Sequence, residues 1–236
     1  MKVRVMSLYF SGFTPEALEF LSELAQNNTK EWYDAHKPMY EKLLKNPSLG
    51  LLDVMSERFE DLGLAYLSTP KVSLFRQHRD TRFSNNKNPY KTNYGMHFPY
   101  YHHATKTKPI NAPGLYIHIE PKQMFMGGGL YMPMPESLKL IRERIADEWQ
   151  ILEAIVENPL FKAEFPRGLY GESTSRVPRG YEQDHPGAQY LKLKQFLVEC
   201  TLKEEELYTE QIIDIIEAKS LALAPLLEYI TEALES

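Results

Sequence analysis

Between Lys71 and Asn93 the chain carries six basic residues, Lys71, Arg76, Arg79, Arg82, Lys87 and Lys91, against the single acid Asp80. That is a local balance of +5 inside a chain whose formal net charge is −5, so the remainder sums to −10. Clustered cations repel one another, and the repulsion is relieved by an anionic ligand or by carboxylates of the chain itself. Arginine offers planar paired donors that match a carboxylate or phosphate, and lysine a compact point charge. Ser84, Asn85, Asn88, Thr92 and Asn93 add neutral donors, and Tyr90 follows Pro89 with a ring face and a phenol. Arg76, Arg79, Asp80, Arg82, Lys87, Tyr90, Lys91 and Asn93 are therefore the candidate ligand-binding residues. The segment lacks the glycine and lysine spacing of a nucleotide-binding P-loop. A competing reading is architectural: Asp80 bridges Arg79 and Arg82, with a helix carboxylate such as Glu31 completing an internal ion-pair network.

Further candidates lie outside the block. Arg142 sits on an otherwise apolar helix face beside Ile141 and Ile145. Arg179, Tyr181, Asp184 and His185 fall in a stretch rich in glycine and proline. If the fold brings these to the basic block, Arg142, Arg179 and Tyr181 join the binding set and His185 is the candidate proton carrier; otherwise its imidazole caps the loop. No metal site is expected. His118 and Glu120 share one face of a strand and His102 adjoins His103, but neither pattern is a strong chelating arrangement, and surface or core histidines are the simpler reading. His97, near the block, is the histidine placed to join an anion site. No cofactor motif is present, and whether the protein is an enzyme stays open.

The composition bounds these readings. A chain of 236 residues with 43% hydrophobic and 25% charged residues has the make-up of a globular protein with an ordinary core. Fifteen tyrosines and eleven phenylalanines point to an aromatic core and cleft. The single cysteine, Cys200, excludes an intrachain disulfide and a cysteine zinc site, and its apolar neighbours suggest that it packs. A pI near 5.9 argues against coating of nucleic acid by the whole surface. No apolar run reaches the roughly 18 residues of a membrane span, and the apolar patch after Lys2 and Arg4 is too interrupted for a signal peptide. Cytoplasmic residence and no membrane partner are the expectation.

The elements that must position these residues can be read from pattern. Thr14-Pro15-Glu16 reads as a hydroxyl cap, a proline in the first turn and an acid beside it, opening a helix with Ala17, Phe20, Leu21 and Leu24 on one face. Asn27-Asn28 caps a second helix through Trp32 and Tyr33, which Pro38 interrupts. Pro47 opens a third, with Leu51, Leu52, Met55, Phe59 and Leu62 spaced for burial. Strands are expected over Val72–Arg76 and Tyr94–Phe98. Leu115–Ile119 and Gln123–Met126 form a hairpin. The glycines 127–129 mark either a bulge or a close approach to the backbone. A long helix starts at Pro135, a strand covers Phe196–Leu202, and two helices, about Glu204–Ile216 and Ser220–Leu234, finish the chain. The order predicts an α+β fold, a single domain with a mainly antiparallel sheet flanked by helices, over residues 10–234 after an N-terminal extension of residues 1–9.

Three blocks in this order, Asn27–Tyr33, Arg79–Ser84 and Lys87–Thr92, resemble a family of conserved hypothetical proteins catalogued as domain of unknown function 2461. The glycine-rich strand before Pro135, Arg142, Arg179-Gly180-Tyr181 and Asp184-His185-Pro186 resemble it too, and the likeness runs from Phe10 to about Leu234. That family commonly has Asp-Lys where this chain has Asn86-Lys87, which removes a carboxylate role at position 86. The resemblance implies one α+β domain and no reaction, so function rests on the site. The expectation is a small anionic ligand, bearing phosphate or carboxylate, in a basic cleft. The alternatives are a non-catalytic module docking an acidic partner or a nucleic-acid backbone, and a purely structural network.

Overall fold

A computed structural model describes residues 10–82, 85–101 and 112–235. Ser84, His102, His103 and the extension of residues 1–9 lie outside the described residues. The chain opens with α1 (Pro15–Gln26), which buries Ala17, Phe20, Leu21 and Leu24 as its spacing predicts. Thr14 occupies the cap position, but its hydroxyl turns to the Glu16 carboxylate and makes no bond to a helix amide. In α2 (Lys30–Tyr40) the cap is Thr29, whose hydroxyl oxygen accepts from the Trp32 amide at 3.2 Å. Asn28, expected to cap this helix, reaches elsewhere.

Pro38 does not interrupt α2. The helix runs through it into a wider π turn (Glu41–Lys45) and on into α3 (Asn46–Asp61). The expected strand at Val72–Arg76 is also replaced: α4 is a single helical turn, Pro70–Ser73, started by its proline, and only Leu74 pairs with the sheet, opposite Met96. β1 (Tyr94–Pro99), β2 (Gly114–Ile119), β3 (Phe125–Leu130) and β4 (Phe196–Thr201) form one antiparallel sheet in chain order. The three glycines lie inside β3 with regular register, Gly127 opposite Glu199, Gly128 opposite Val198 and Gly129 opposite Leu197, so there is no bulge. Close approach is the reason for them. A Cβ on Gly129 would lie 1.8 Å from the Phe196 carbonyl oxygen, and its φ of +111° is one that side chains rarely adopt.

After the sheet hairpins come α5 (Pro135–Glu157), α6 (Pro159–Glu164) and α7 (Ala188–Leu191), then β4 and a short α8 (Glu204–Leu207). The last helix, α9, is one element from Gln211 to Glu235, not two, and continues through Pro225. An interior proline costs about 3 kcal/mol; burial of Ile212, Ile216, Leu223, Leu227 and Ile230 along the same helix offsets it.

Strand alternation gives the sheet two unlike faces. Met96, Phe98, Leu115, Ile117, Met126 and Val198 are buried in the core, with Phe98 edge-on to Phe59 of α3 and Gly128 against Leu223 of α9. The opposite set is Gly95, His97, Gly114, Tyr116, His118, Phe125, Gly127, Gly129 and Glu199. One continuous core joins the N-terminal helices, the sheet and α9, so the chain is a single α+β domain with an antiparallel sheet. Among the described residues no helix is long and apolar enough to cross a membrane.

Candidate functional site

The second sheet face forms the floor of a cavity of about 820 Å³. Gly114, Gly127 and Gly129 leave the floor low, and Phe75, Tyr116, Phe125 and Tyr170 wall it with rings. Tyr131, Met132 and Met134, each about two-thirds exposed, form the rim at the entrance to α5. Among the described residues, two nitrogen-bearing side chains reach this lining, Lys91 and His97, and one carboxylate, Glu199.

The basic segment reaches the cavity by its C-terminal end. Its two arms are tied together: the Arg79 amide donates to the Pro89 carbonyl at 2.8 Å and the Lys91 amide to the Gln77 carbonyl at 2.9 Å. Buried Gln77 adds a side-chain bond to the Lys91 carbonyl at 2.5 Å. Asn28 then clamps the base of the loop from 62 positions away. Its amide nitrogen donates to the Tyr90 carbonyl at 3.1 Å, and its oxygen accepts from the Tyr90 amide at 3.0 Å. The Tyr90 ring is buried and stacks on Tyr33 of α2 with centroids 4.0 Å apart. Tyr90 is thus a core anchor that fixes its neighbour Lys91, and its own ring does not line the cavity.

The Lys91 ammonium lies 5.1 Å from the Phe75 ring centroid. Burial holds it below the ordinary lysine value, and the charges of Arg76 and Arg79 press it the same way, which places three cations within electrostatic reach of one another. Among the described residues no carboxylate lies within 4.0 Å of Lys91, Arg76 or Arg79. Asp80 does not bridge Arg79 and Arg82 as the network reading has it. Its carboxylate takes the Arg82 guanidinium alone, in two bonds of 3.0 and 2.7 Å. That pairing holds its acid far below the usual carboxylate range. Lys87 donates to the Thr81 carbonyl at 3.0 Å on the exposed loop. Glu199, the acid of the cavity, already accepts from the Tyr170 hydroxyl at 3.1 Å and lies 3.9 Å from Arg167.

His97 stacks beside Phe75, and its Nδ1 is sealed from solvent and has no hydrogen-bond partner among the described residues. Burial pushes its imidazole down to about 4, so it is neutral at physiological pH. Next to it in register is Tyr116, whose phenol is pushed up to about 12, first by burial and then by the charge of Glu120. Asn93 does not line the cavity; its amide nitrogen lies 3.3 Å from His118 Nδ1.

The remaining candidates are placed elsewhere. Arg142 donates to the Leu191 and Leu193 carbonyls at 2.9 and 3.0 Å and so holds the turn before β4. His185 uses both ring nitrogens on backbone, Nε2 toward the Ala146 carbonyl and Nδ1 accepting from Gly187, each at 3.0 Å. Arg179 and Asp184 are exposed, and Tyr181 packs beside Arg142. None of these five lines the cavity. Cys200 faces α9 near Lys219, with its thiol pushed up by burial. Among the described residues no group of three histidine, cysteine or acidic side chains could hold a metal. The residues that sequence reasoning missed are Phe75, Gly95, Gly114 and Tyr116; their signal was the period-2 alternation opposite the core face, combined with glycine where a strand prefers bulk.

No curated protein and no solved structure matches the chain. A family described as conserved hypothetical protein (DUF2461) matches residues 16–229, a span that contains the Asn28 clamp, the tied basic loop and all four strands. The chain belongs to that family.

Proposed function

We propose that the cavity binds a small molecule combining a flat or apolar body with one anionic group. The observation that carries this reading is the half-buried Lys91 ammonium at the cavity wall, backed by Arg76 and Arg79 and, among the described residues, without a carboxylate within 4.0 Å. A phosphate or carboxylate there gains charge-assisted hydrogen bonds in a partly desolvated setting. The low floor and aromatic walls suit a planar ring or short acyl body. Glu199 adds little repulsion, because Tyr170 and Arg167 already engage it. The walled, largely apolar shape favours a small molecule over a nucleic-acid backbone, which asks for a basic track along an open surface.

The test is a thermal-shift screen of aromatic and short-acyl carboxylates and phosphates, with inorganic phosphate as the reference anion. A specific compound at 100 times its Kd stabilises by about 2.7 kcal/mol, which for a chain of this length raises Tm by about 5–10 °C. Lys91→Met keeps the side-chain stem and removes the charge; it should abolish the shift, while Lys87→Met on the exposed loop leaves it. Raising salt from ~50 to ~200 mM should weaken the interaction far less than it would a phosphate-backbone contact. A panel without a single shift, or a shift that survives Lys91→Met, overturns the reading.

A further inference from the structure

Beside the cavity runs a chain of hydrogen bonds that the binding reading leaves unused. The Tyr116 hydroxyl lies 3.1 Å from His118 Nδ1, and His118 Nε2 lies 3.2 Å from a Glu120 carboxylate oxygen. The other oxygen of Glu120 accepts from the Thr92 hydroxyl at 2.8 Å. Asn93 presents its amide nitrogen to the same Nδ1 at 3.3 Å. These partners fix the tautomer: a carboxylate can only accept, so Nε2 carries the hydrogen, and Nδ1 is the acceptor that two donors address. The ring is held flat against Phe125, with centroids 4.7 Å apart and planes 14° apart. The space for the phenol is built in, because a Cβ on Gly95 would lie 2.7 Å from the Tyr116 oxygen. Of the three members, Tyr116 lines the cavity.

We infer that Tyr116 is a catalytic residue, a proton-exchanging phenol for a hydroxyl- or N–H-bearing molecule in the cavity, with His118 and Glu120 as positioning residues behind it. Its hydroxyl hydrogen points to His118 and the Asn93 amide engages one lone pair of its oxygen, which leaves the other for the occupant. In the step, the proton of the occupant's O–H or N–H moves to the Tyr116 oxygen, the phenol's own proton passes to His118 Nδ1, and the resulting imidazolium is held by the Glu120 carboxylate; no net charge is created in the relay beyond the proton it receives. The reverse transfer returns the proton. The elevated phenol value fits this order, since Tyr116 gives up its proton only when another replaces it. The inference rests on the cavity taking a ligand, but the chemistry of the relay can be read without knowing that ligand.

The probe is a small arylsulfonyl fluoride. The Tyr116 oxygen forms a bond to sulfur, the S–F bond breaks with departure of fluoride, and the phenol proton goes to His118. Peptide mapping should find Tyr116 labelled at least tenfold faster than Tyr131, whose ring is 69% exposed and which has no such partner in the described contacts. Glu120→Gln and His118→Ala should each slow Tyr116 labelling about tenfold or more without changing that of Tyr131, and added imidazole should restore the rate in His118→Ala. If His118→Ala does not fold, Gly95→Ala keeps every member of the relay and displaces the phenol oxygen, with the same expected slowing. Nitrogen NMR of the His118 ring should show hydrogen on Nε2. Equal labelling of Tyr116 and Tyr131, insensitivity of Tyr116 to these variants, or hydrogen on Nδ1 overturns the inference. The two readings fail separately: loss of anion binding is read in the thermal-shift screen, and Tyr116 reactivity by peptide mapping of the wild-type protein with no anion present.

Discussion

The two faces of the same four strands are built by opposite rules. On the core face, Met96, Ile117, Met126 and Val198 are buried against the helices. One residue along each strand, His97, Tyr116, Gly127 and Glu199 stand in one row across the other face, where a glycine replaces bulk and the rest are titratable. The pleat alone separates packing from chemistry, so a single strand serves both without compromise. The lesson is that the cavity is made by omission: Gly114 of β2 with Gly127 and Gly129 of β3 leaves the floor low, and the rings of Phe75, Tyr116, Phe125 and Tyr170 stand around it.

The strongest way to break that contrast is to put a side chain on the floor where the backbone cannot move. Gly129→Val meets the Phe196 carbonyl at 1.8 Å in a left-handed backbone and should cost on the order of 4 kcal/mol or more in urea denaturation. Gly127→Ala meets its nearest atom at 3.1 Å and should cost about 1 kcal/mol while narrowing the cavity. Next is the buried histidine of the same face. His97 titrates at about 4 in the fold against 6.5 in the unfolded chain, so the unfolded chain takes up its proton first as pH falls. Its stabilisation is complete above pH ~6.5 and lost on descent to about 4, a change of about 3 kcal/mol. His97→Phe should flatten that part of the stability–pH curve; an unchanged slope contradicts the burial.

The next two predictions sharpen the comparison at the cavity wall. Asn28→Ala leaves the amide and carbonyl of Tyr90 without partners and should cost about 2–3 kcal/mol by equilibrium unfolding. Arg82→Ala removes an ion pair between side chains that are 76% and 42% exposed, and should leave the urea midpoint within error of the wild type. A large effect there would mean that the loop tip matters to the fold as much as its base.

Much of the frame was legible in residue pattern. The helix faces of α1, α3 and α5, the hairpin of β2 and β3, and the antiparallel sheet follow from period and turn chemistry. The misses are local: α2 continues through Pro38, where a break is expected, and α9 is one helix from Gln211 to Glu235 where two are expected. Val72 was read as strand from its alternation, but Thr69-Pro70 starts a helical turn first. At the site, sequence singled out the cationic segment, and the structure brings Lys91 to the cavity beside His97, with Arg76 and Arg79 behind. It could not show that Asn28 holds Tyr90, since a clamp between residues 62 apart has no local signal. It also separated His118 and Glu120 from Tyr116, because the hydrogen bonds that unite them depend on the space beside Gly95.

That long-distance clamp also dictates a sequence of events. Asn28 leaves the ribosome well before Tyr90 does, so the N-terminal helices can form while the amide that will grip the loop still waits for its partner. The wall bearing Lys91 can then close only once residue 90 has emerged, onto helices that are free to form before it.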